Sequence, residues 1–382
     1  MVRIASFNVE NLFTRPRAFN TTNWSLGRPA LNAYREVNDL LSNAVYSAAD
    51  KQRIRDLFVE LDIYSVNNTG AIRRKRTQSP RWAWLRKNRG KFDSQPRDTT
   101  QSVEIVANGR ADWIGCVELA KEPTGETSTR MTARVIQDVG ADIIGIVEAE
   151  DGPSLLRFND EMLGGLYSNV LLVEGNDQRG INVGIMTGNS YDIDLIRSNV
   201  NTVDAVGTVF SRDCPQYKVR TPDGREVHIL VNHFKSQSGG GGSKRRRQAA
   251  EVRRIVDGLV AQYQHVVVLG DFNEGPSAPG SQAKNLINLF DNNSPLVDCY
   301  ALPNFQVGNR PGTYDSCGLR NRLDYILISK SLQPRFTGGG VFREGLWGTR
   351  VNRPTNWATY PDMMQSSEQA SDHAAVFVDL NI

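Results

Sequence analysis

Four cysteines and four histidines are all that the 382 residues contain, and both scarcities exclude something. Cys116, Cys214, Cys299 and Cys317 show no CxxC spacing and no grouping with histidine, which argues against a disulfide framework and against a structural zinc site. Reduced, packed thiols are expected. Long apolar runs are missing as well, since nothing approaches the ~18 consecutive apolar residues of a membrane helix. The chain opens directly in an alternating strand pattern, MVRIASFNV, without the apolar core of a signal peptide before it, so a cytoplasmic location is expected. The glycine run 239–242 lacks the GxxxxGK[ST] spacing of a phosphate loop. Charge of one sign is also scarce, the net being only +3. What charge there is lies unevenly. Between Ser65 and Asp98, ten Lys and Arg face only Asp93 and Asp98, which makes that segment +8 and leaves −5 for the rest. A basic segment of this kind suggests a polyanion partner, although charge runs are more often solvated loops.

What is present is a series of short apolar runs that end in acids, amides or imidazoles. Val266, Val267, Val268 and Leu269 form an unbroken run that reads as a buried strand and leads into Gly270, Asp271, Phe272 and Asn273. Asp271 and Asn273 are two apart and project to one side of an extended chain; taken alone, they read first as a turn. Similar strands are expected over 3–9, over 143–147 leading to Glu148, and over 170–174 with 181–187. Others are expected over 218–220 with 227–231 leading to His233, from Asp324 to Ile328, and just after Asp372 and His373. Helices are expected over 129–139 (capped by Ser128 or Thr129), near 153–163, around 252–260 and over 281–290. Residues 14–127 look like an insertion into one domain spanning 1–382. The insertion holds helical patterns at Tyr34–Val45 and Ile54–Leu61, the basic loop, and a β-hairpin of 102–107 with 112–119 turning at Asn108-Gly109.

Asn8, Glu10, Glu148, His233, Asp271, Asn273, Asp324, Asp372 and His373 all fall at strand ends. One such residue would be ordinary turn chemistry; six strands delivering them is harder to explain that way. His228 and His265, inside or just before strands, read as structural. Hard oxygen donors such as Glu148 and Asp372, with Asn8 or Glu10 nearby and no cysteine, suit Mg²⁺ or Mn²⁺. Two imidazoles and the amides supply donors for charge growing at phosphorus, and Asp271, aligned by Asn273, is the candidate general base. The grouping describes in-line attack of water on a phosphoester.

SFNVENL, GIVEAED, VNHFKS, GDFNEGP, RLDYILIS and SDHAAV occur in the order and context of the endonuclease/exonuclease/phosphatase superfamily, which includes pancreatic deoxyribonuclease, apurinic-site endonucleases, neutral sphingomyelinases and inositol polyphosphate phosphatases. The chain resembles that group over 1–13 and roughly 128–382, with 14–127 unmatched. GDFN, RLDY and SDH are specific together and weak singly. The resemblance implies an α/β fold, a four-layer α/β/β/α sandwich of two mixed sheets flanked by helices. It also implies roles. Asn8 and Glu148 would bind the divalent ion or the phosphate, Glu10 stands where a second acid is frequent, and Asp372 matches a late metal-binding acid. His233 matches a phosphate-binding histidine, Asp271 and Asn273 the water-activating pair, and Asp324 the acid that orients His373. Arg179 in RGINVGI resembles an arginine of bacterial members at the edge of the site. With Asn182 beside it and Lys235 two residues after His233, it is a candidate phosphate contact; a surface arginine in a turn is the equal alternative.

A magnesium- or manganese-dependent phosphodiesterase cleaving DNA or RNA is the first functional expectation. The +8 segment supports it, as does the stretch 343–360, where Trp347, Trp357 and Tyr360 stand among Arg343, Arg350 and Arg353 and offer surfaces on which bases stack. A phosphatase or phosphodiesterase of small, inositol or lipid phosphoesters is the second reading, and a non-catalytic binding module the third. A monomer without a protein partner is expected. The fold hosts several phosphate chemistries, so resemblance alone does not choose the substrate.

Overall fold

The protein is described by a computed structural model covering residues 1–18, 24–77, 79–177, 180–237, 241–348 and 356–382. Its contacts divide the chain into two compact units, one made of Met1–Phe13 with Thr124–Ile382, the other of Thr14–Pro123.

In the larger unit the strand Val2–Asn8 runs parallel to Ile143–Ala149 and antiparallel to Ala375–Leu380. Phe336–Phe342 and Phe305–Gln306 extend the sheet on one side, and Asn182–Thr187 and Asn169–Val173 on the other, giving seven mixed strands. A second sheet of six runs in the order Asp192–Arg197, Gln216–Arg220, Glu226–His233, Val266–Asp271, Asp324–Ser329 and Leu296–Asp298. Strand alternation decides the layers. Ile4, Ile143, Val147 and Val183 meet Ile229, Val231, Val267 and Leu269 between the sheets. Their neighbours Ala5, Phe7, Ile144 and Ile146 face outward, under the helices Glu126–Val139 and Gly152–Met162. Val266, Val268 and Leu327 lie under the helix Gly242–Val260. The result is the four-layer α/β/β/α sandwich. Each buried Val, Leu or Ile is worth about 1.5–3 kcal/mol against about 1 kcal/mol for a helix cap, so these doubly covered strands dominate the unit's stability. Gly145 lets the sheets approach, because a side chain there would run into Leu269.

Several local expectations are corrected. The helix at 126–139 starts after Gly125 without a side-chain cap; the Ser128 and Thr129 hydroxyls instead donate to the carbonyls of Gln369 and Leu12. Residues 281–290 hold only two short turns, Lys284–Leu286 and Ile287–Phe290. The strand Asp192–Arg197 has mostly exposed residues and so carries no apolar run to reveal it.

The smaller unit packs the helices Trp24–Leu41 and Ala48–Glu60 against the hairpin Tyr64–Val66/Ile72–Arg74 and the strand pair Ala83–Gly90/Trp113–Leu119. Val37, Leu57, Phe58, Tyr64, Phe92 and Trp113 form its own core, with the Phe92 and Trp113 rings 4.3 Å apart. Trp113–Leu119 therefore pairs with Ala83–Gly90, not with 102–107. Gly109 is extended backbone rather than a turn, and its missing side chain admits the Ala44 carbonyl. Close approach, not reversal of the chain, explains that glycine. Cys116 is exposed on this strand, while Cys214, Cys299 and Cys317 are buried thiols. Among the described residues, no helix is long and apolar enough to cross a membrane.

Candidate active site

At the end of Val2–Asn8 the backbone turns sharply. Asn8 Oδ1 accepts the Glu10 N–H at 3.1 Å, and Glu10 and Asn11 both adopt left-handed conformations, φ 47° and 62°. The buried Glu150 carboxylate accepts the N–H groups of Leu12 and Phe13 at 3.1 and 2.7 Å and fixes the loop. Glu10 Oε2 in turn accepts the Asp372 N–H at 3.0 Å, and Ser371 Oγ donates to the Asn8 carbonyl at 2.7 Å. On the neighbouring strand, Ala149 pairs with Asn182 and Val147 with Val183, so Glu148 is the extra residue of a bulge, with φ 65°. A bulge re-aims a side chain. Glu148 Oε1 lies 3.3 Å from Nε2 of His233.

Asp271 ends the central strand of the other sheet. Gly270, at φ 133°, sits against the Asn232 backbone where no side chain would fit. Asp271 Oδ1 accepts the Asn273 N–H at 2.7 Å, while Oδ2 accepts Asn273 Nδ2 at 2.9 Å and Asn8 Nδ2 at 3.4 Å. The same Oδ2 lies 3.6 Å from His233 Nε2 and 4.0 Å from His373 Nε2. Burial pushes the Asp271 carboxyl up to about 7; His373 pulls it down, whereas Asp324 and Glu148 add to the rise. A carboxylate poised there is matched to proton transfer near neutrality.

Asp324 sits opposite Asp271 in the antiparallel register. Its Oδ2 accepts from His373 Nδ1 at 2.7 Å and from Thr313 Oγ1 at 2.6 Å. Burial works against a charged His373, but Asp324, Asp271 and Asp372 outweigh it and hold the imidazole well above its ordinary value. The pair thus keeps a cation whose Nε2 faces Asp271 and lies 3.9 Å from Asp372 Oδ1.

The sequence matches the Endonuclease/Exonuclease/phosphatase family over residues 84–339 of 382. The chain belongs to that family. No curated protein matches it. Among solved structures it is similar to a mannosyl-6-phosphatase of Bacteroides thetaiotaomicron (16% identity, 67% of this chain and 92% of that one, TM-score 0.49). It is also similar to truncated TDP2 of Caenorhabditis elegans (18%, 66% and 90%, 0.46) and to the catalytic domain of human nocturnin (17%, 66% and 86%, 0.46). The family match leaves out both chain ends, yet folding brings Asn8 to Asp271 and His373 to Asp324.

Not every candidate of this family member gathers there. Asn182 Nδ2 donates to the Glu150 carbonyl at 2.8 Å and its Oδ1 accepts the Gly175 N–H at 2.9 Å, so both amide ends serve the backbone. Lys235 Nζ donates to Ser236 Oγ at 3.3 Å. Arg179, Arg350 and Arg353 lie outside the described residues. Arg343 is corrected outright: its buried guanidinium donates to the carbonyls of Val307, Arg310 and Gly312 at 2.6–2.7 Å, which fixes the loop ahead of Thr313 and removes it from phosphate contact. His228 and His265 are structural, held by Gln216 and the Glu226 carbonyl. The sequence reading missed Thr313, whose hydroxyl orients Asp324, and Arg212. Arg212 is buried, pairs with Asp177 at 2.8 Å and donates to the Phe234 carbonyl at 3.2 Å, the acceptor that Asn273 Nδ2 also uses. GTYDS at 312–316, five residues ahead of RLDY, was the available signal for Thr313; Arg212 had none.

The donor set fits a divalent cation of the hard kind. Acceptor atoms of Glu148, His233 and Asp271 lie within 4.8 Å of one another, and among the described residues Glu148 and Asp271 meet only imidazole as a cationic partner. The Tyr314 hydroxyl is pushed upward first by Asp372, then by burial, with Asp315, Glu10 and Glu148 adding to it, which marks concentrated negative charge at this edge. Glu148 and Asp372 keep side-chain exposures of 23% and 34%, so both can reach an ion and its waters. Oxygen donors without thiolate suit Mg²⁺ or Mn²⁺.

Proposed function

We propose that the chain is a metal-dependent phosphodiesterase whose first substrate class is nucleic acid, and that residues 14–127 are an insertion serving its one catalytic domain. The observation that carries the chemistry is Asp271: a buried carboxyl pushed up to about 7, held by Asn273 and Asn8, between two imidazoles. In this reading Asp271 takes a proton from water as its oxygen bonds to phosphorus. The bridging P–O bond breaks with its electron pair on the departing oxygen, which picks up a proton and leaves as the alcohol. His373, kept cationic by Asp324, and His233 donate to the phosphoryl oxygens as charge grows there. Asn8, Glu10, Glu148 and Asp372 would hold the cation, which when bound supplies Lewis-acid neutralisation of phosphoryl charge.

Support for nucleic acid comes from the smaller unit. Among the described residues no ion pair engages Arg76, Arg81, Arg89, Lys91 or Arg97, all exposed. The other cations of that segment are occupied: Arg74 and Lys87 with Asp93, Lys75 with Asp62, Arg86 with Glu118, and Arg73 with three carbonyls. Those internal pairs, and the buried Arg343, favour the second reading, hydrolysis of small or lipid phosphoesters. A panel of oligodeoxynucleotides, oligoribonucleotides, sphingomyelin, inositol phosphates and sugar phosphates, with Mg²⁺ or Mn²⁺, separates the two. Turnover of oligonucleotides at least tenfold above the small phosphoesters is expected; the reverse order rejects nucleic acid as substrate.

A further inference from the structure

The smaller unit carries a cleft of about 520 Å³ lined by Arg74, Lys75, Arg76, Thr77, Trp84 and Leu85. That volume is within the roughly 300–1,000 Å³ typical of small-ligand sites. We propose that this cleft is a nucleotide-binding subsite, in which Trp84 stacks the base and Arg76 holds the phosphate. Among the described residues its only acidic lining residue is Asp62, which pairs with Lys75 at 2.5 Å. Arg74 is oriented by the Leu85 carbonyl at 3.4 Å and Asp93 at 3.8 Å. Arg76 is exposed, and among the described residues it has neither an ion pair nor a hydrogen bond. Its planar fork is thus available for bidentate contact with phosphate oxygens.

Trp84 is the second observation. Trp82 and Trp113 belong to the unit's core, and Trp84 does not. It stands on the outer face of Ala83–Gly90, partly exposed, with the Arg86 guanidinium 5.0 Å from its ring centre. Arg86 is tied across the strands to Glu118 at 2.9 Å and so props the ring from one side. An acidic peptide would need the cations alone; a nucleoside phosphate needs the cations and the indole together, since bases stack on aromatic faces without regard to sequence. A free nucleotide and one unit of a single strand present the same chemistry. The subsite shares only a substrate class with the proposed function, because none of its residues belongs to the acid, amide and imidazole set.

The test is equilibrium binding to the full chain in a metal chelator, which blocks turnover, read by anisotropy of a fluorescein-labelled eight-residue oligothymidylate. The wild type binds; Arg76→Glu and Trp84→Leu each weaken binding about tenfold, and Trp84→Phe restores most of the Trp84→Leu loss. Displacement by thymidine 5′-monophosphate identifies a single nucleotide as sufficient, and displacement only by unlabelled oligomer identifies a strand; either supports the subsite. Arg76→Glu alters an exposed side chain, so unchanged circular dichroism with lost binding excludes misfolding as the cause. No binding by the wild type, wild-type affinity in Trp84→Leu, or equal displacement by polyaspartate overturns it. Because hydrolysis is not read, a protein that binds through Trp84 yet cleaves nothing keeps this subsite and rejects only the catalytic reading.

Discussion

At Asp271 one side chain closes a turn on Asn273 and also faces His233 and His373. The two tasks pull against each other. The folded-state value, raised to about 7 from an ordinary value of 3.8, means that the native protein binds a proton the unfolded chain has already released. Stability therefore falls as pH rises from about 4 to about 7 and stays lower above. Asp271→Asn removes that loss. Its melting temperature in metal-free buffer should exceed wild type at pH 8 by a margin that shrinks toward pH 4, while hydrolysis is lost; an equal margin at both pH values contradicts the assignment. For His373 the direction is the same and the cause differs, its folded-state value being raised by Asp324, Asp271 and Asp372 against burial, so the stability it adds is present below the ordinary imidazole value and is lost as pH rises through the raised one. Asp324→Asn should bring the His373 ring into titration at lower pH, followed by proton–nitrogen NMR of the metal-free protein. A ring that titrates as in wild type removes Asp324 from the role of orienting acid.

Elements place these residues. The bulge at Glu148 and the bare Gly270 aim two carboxylates from different sheets, and neither can be replaced by regular strand. Gly270→Ala, at φ 133° and against the Asn232 carbonyl, should cost more than about 3 kcal/mol, because positional strain and overpacking add; chemical denaturation measures it. The helix Gly242–Val260 is anchored by Arg245, which reaches Glu274 at 2.8 Å and the Lys235 and Ser236 carbonyls at 2.9 and 3.1 Å. Arg245→Met strands Glu274 and should destabilise by about 3 kcal/mol; a loss under about 1 kcal/mol would make the network incidental.

These elements also show what could be read from sequence. The strands and the acids or imidazoles flush against them were legible, because a doubly buried strand is one apolar run and a polar residue at its end is conspicuous. Asp192–Arg197 was not, being an exposed edge. Thr313, Arg212 and Arg343 act through contacts between distant loops, which leave no periodic mark. Asn108-Gly109 misled because a glycine that admits a carbonyl looks the same as one that turns a hairpin.

At the scale of the whole molecule, charge divides into engaged and unengaged sets. Replacing Arg76, Arg81, Arg89, Lys91 and Arg97 by Gln should flatten the dependence of log affinity for nucleic acid on log salt, by about 0.7–0.9 for each phosphate left without its cation, with little change in melting temperature. Arg73→Gln should do the reverse, since its guanidinium donates to the Pro96, Asp98 and Gln101 carbonyls. An unchanged slope in the five-fold variant removes the smaller unit from nucleic-acid binding. The central claim is water attack on phosphorus assisted by Asp271 in a cation-holding site. Its most direct measurement is kcat/KM for bis(p-nitrophenyl) phosphate, with Mg²⁺ and with chelator, for wild type and Asp271→Ala. Magnesium-dependent turnover that falls by at least about a hundredfold in the variant is predicted; turnover that survives the chelator, or that Asp271→Ala retains, contradicts the account.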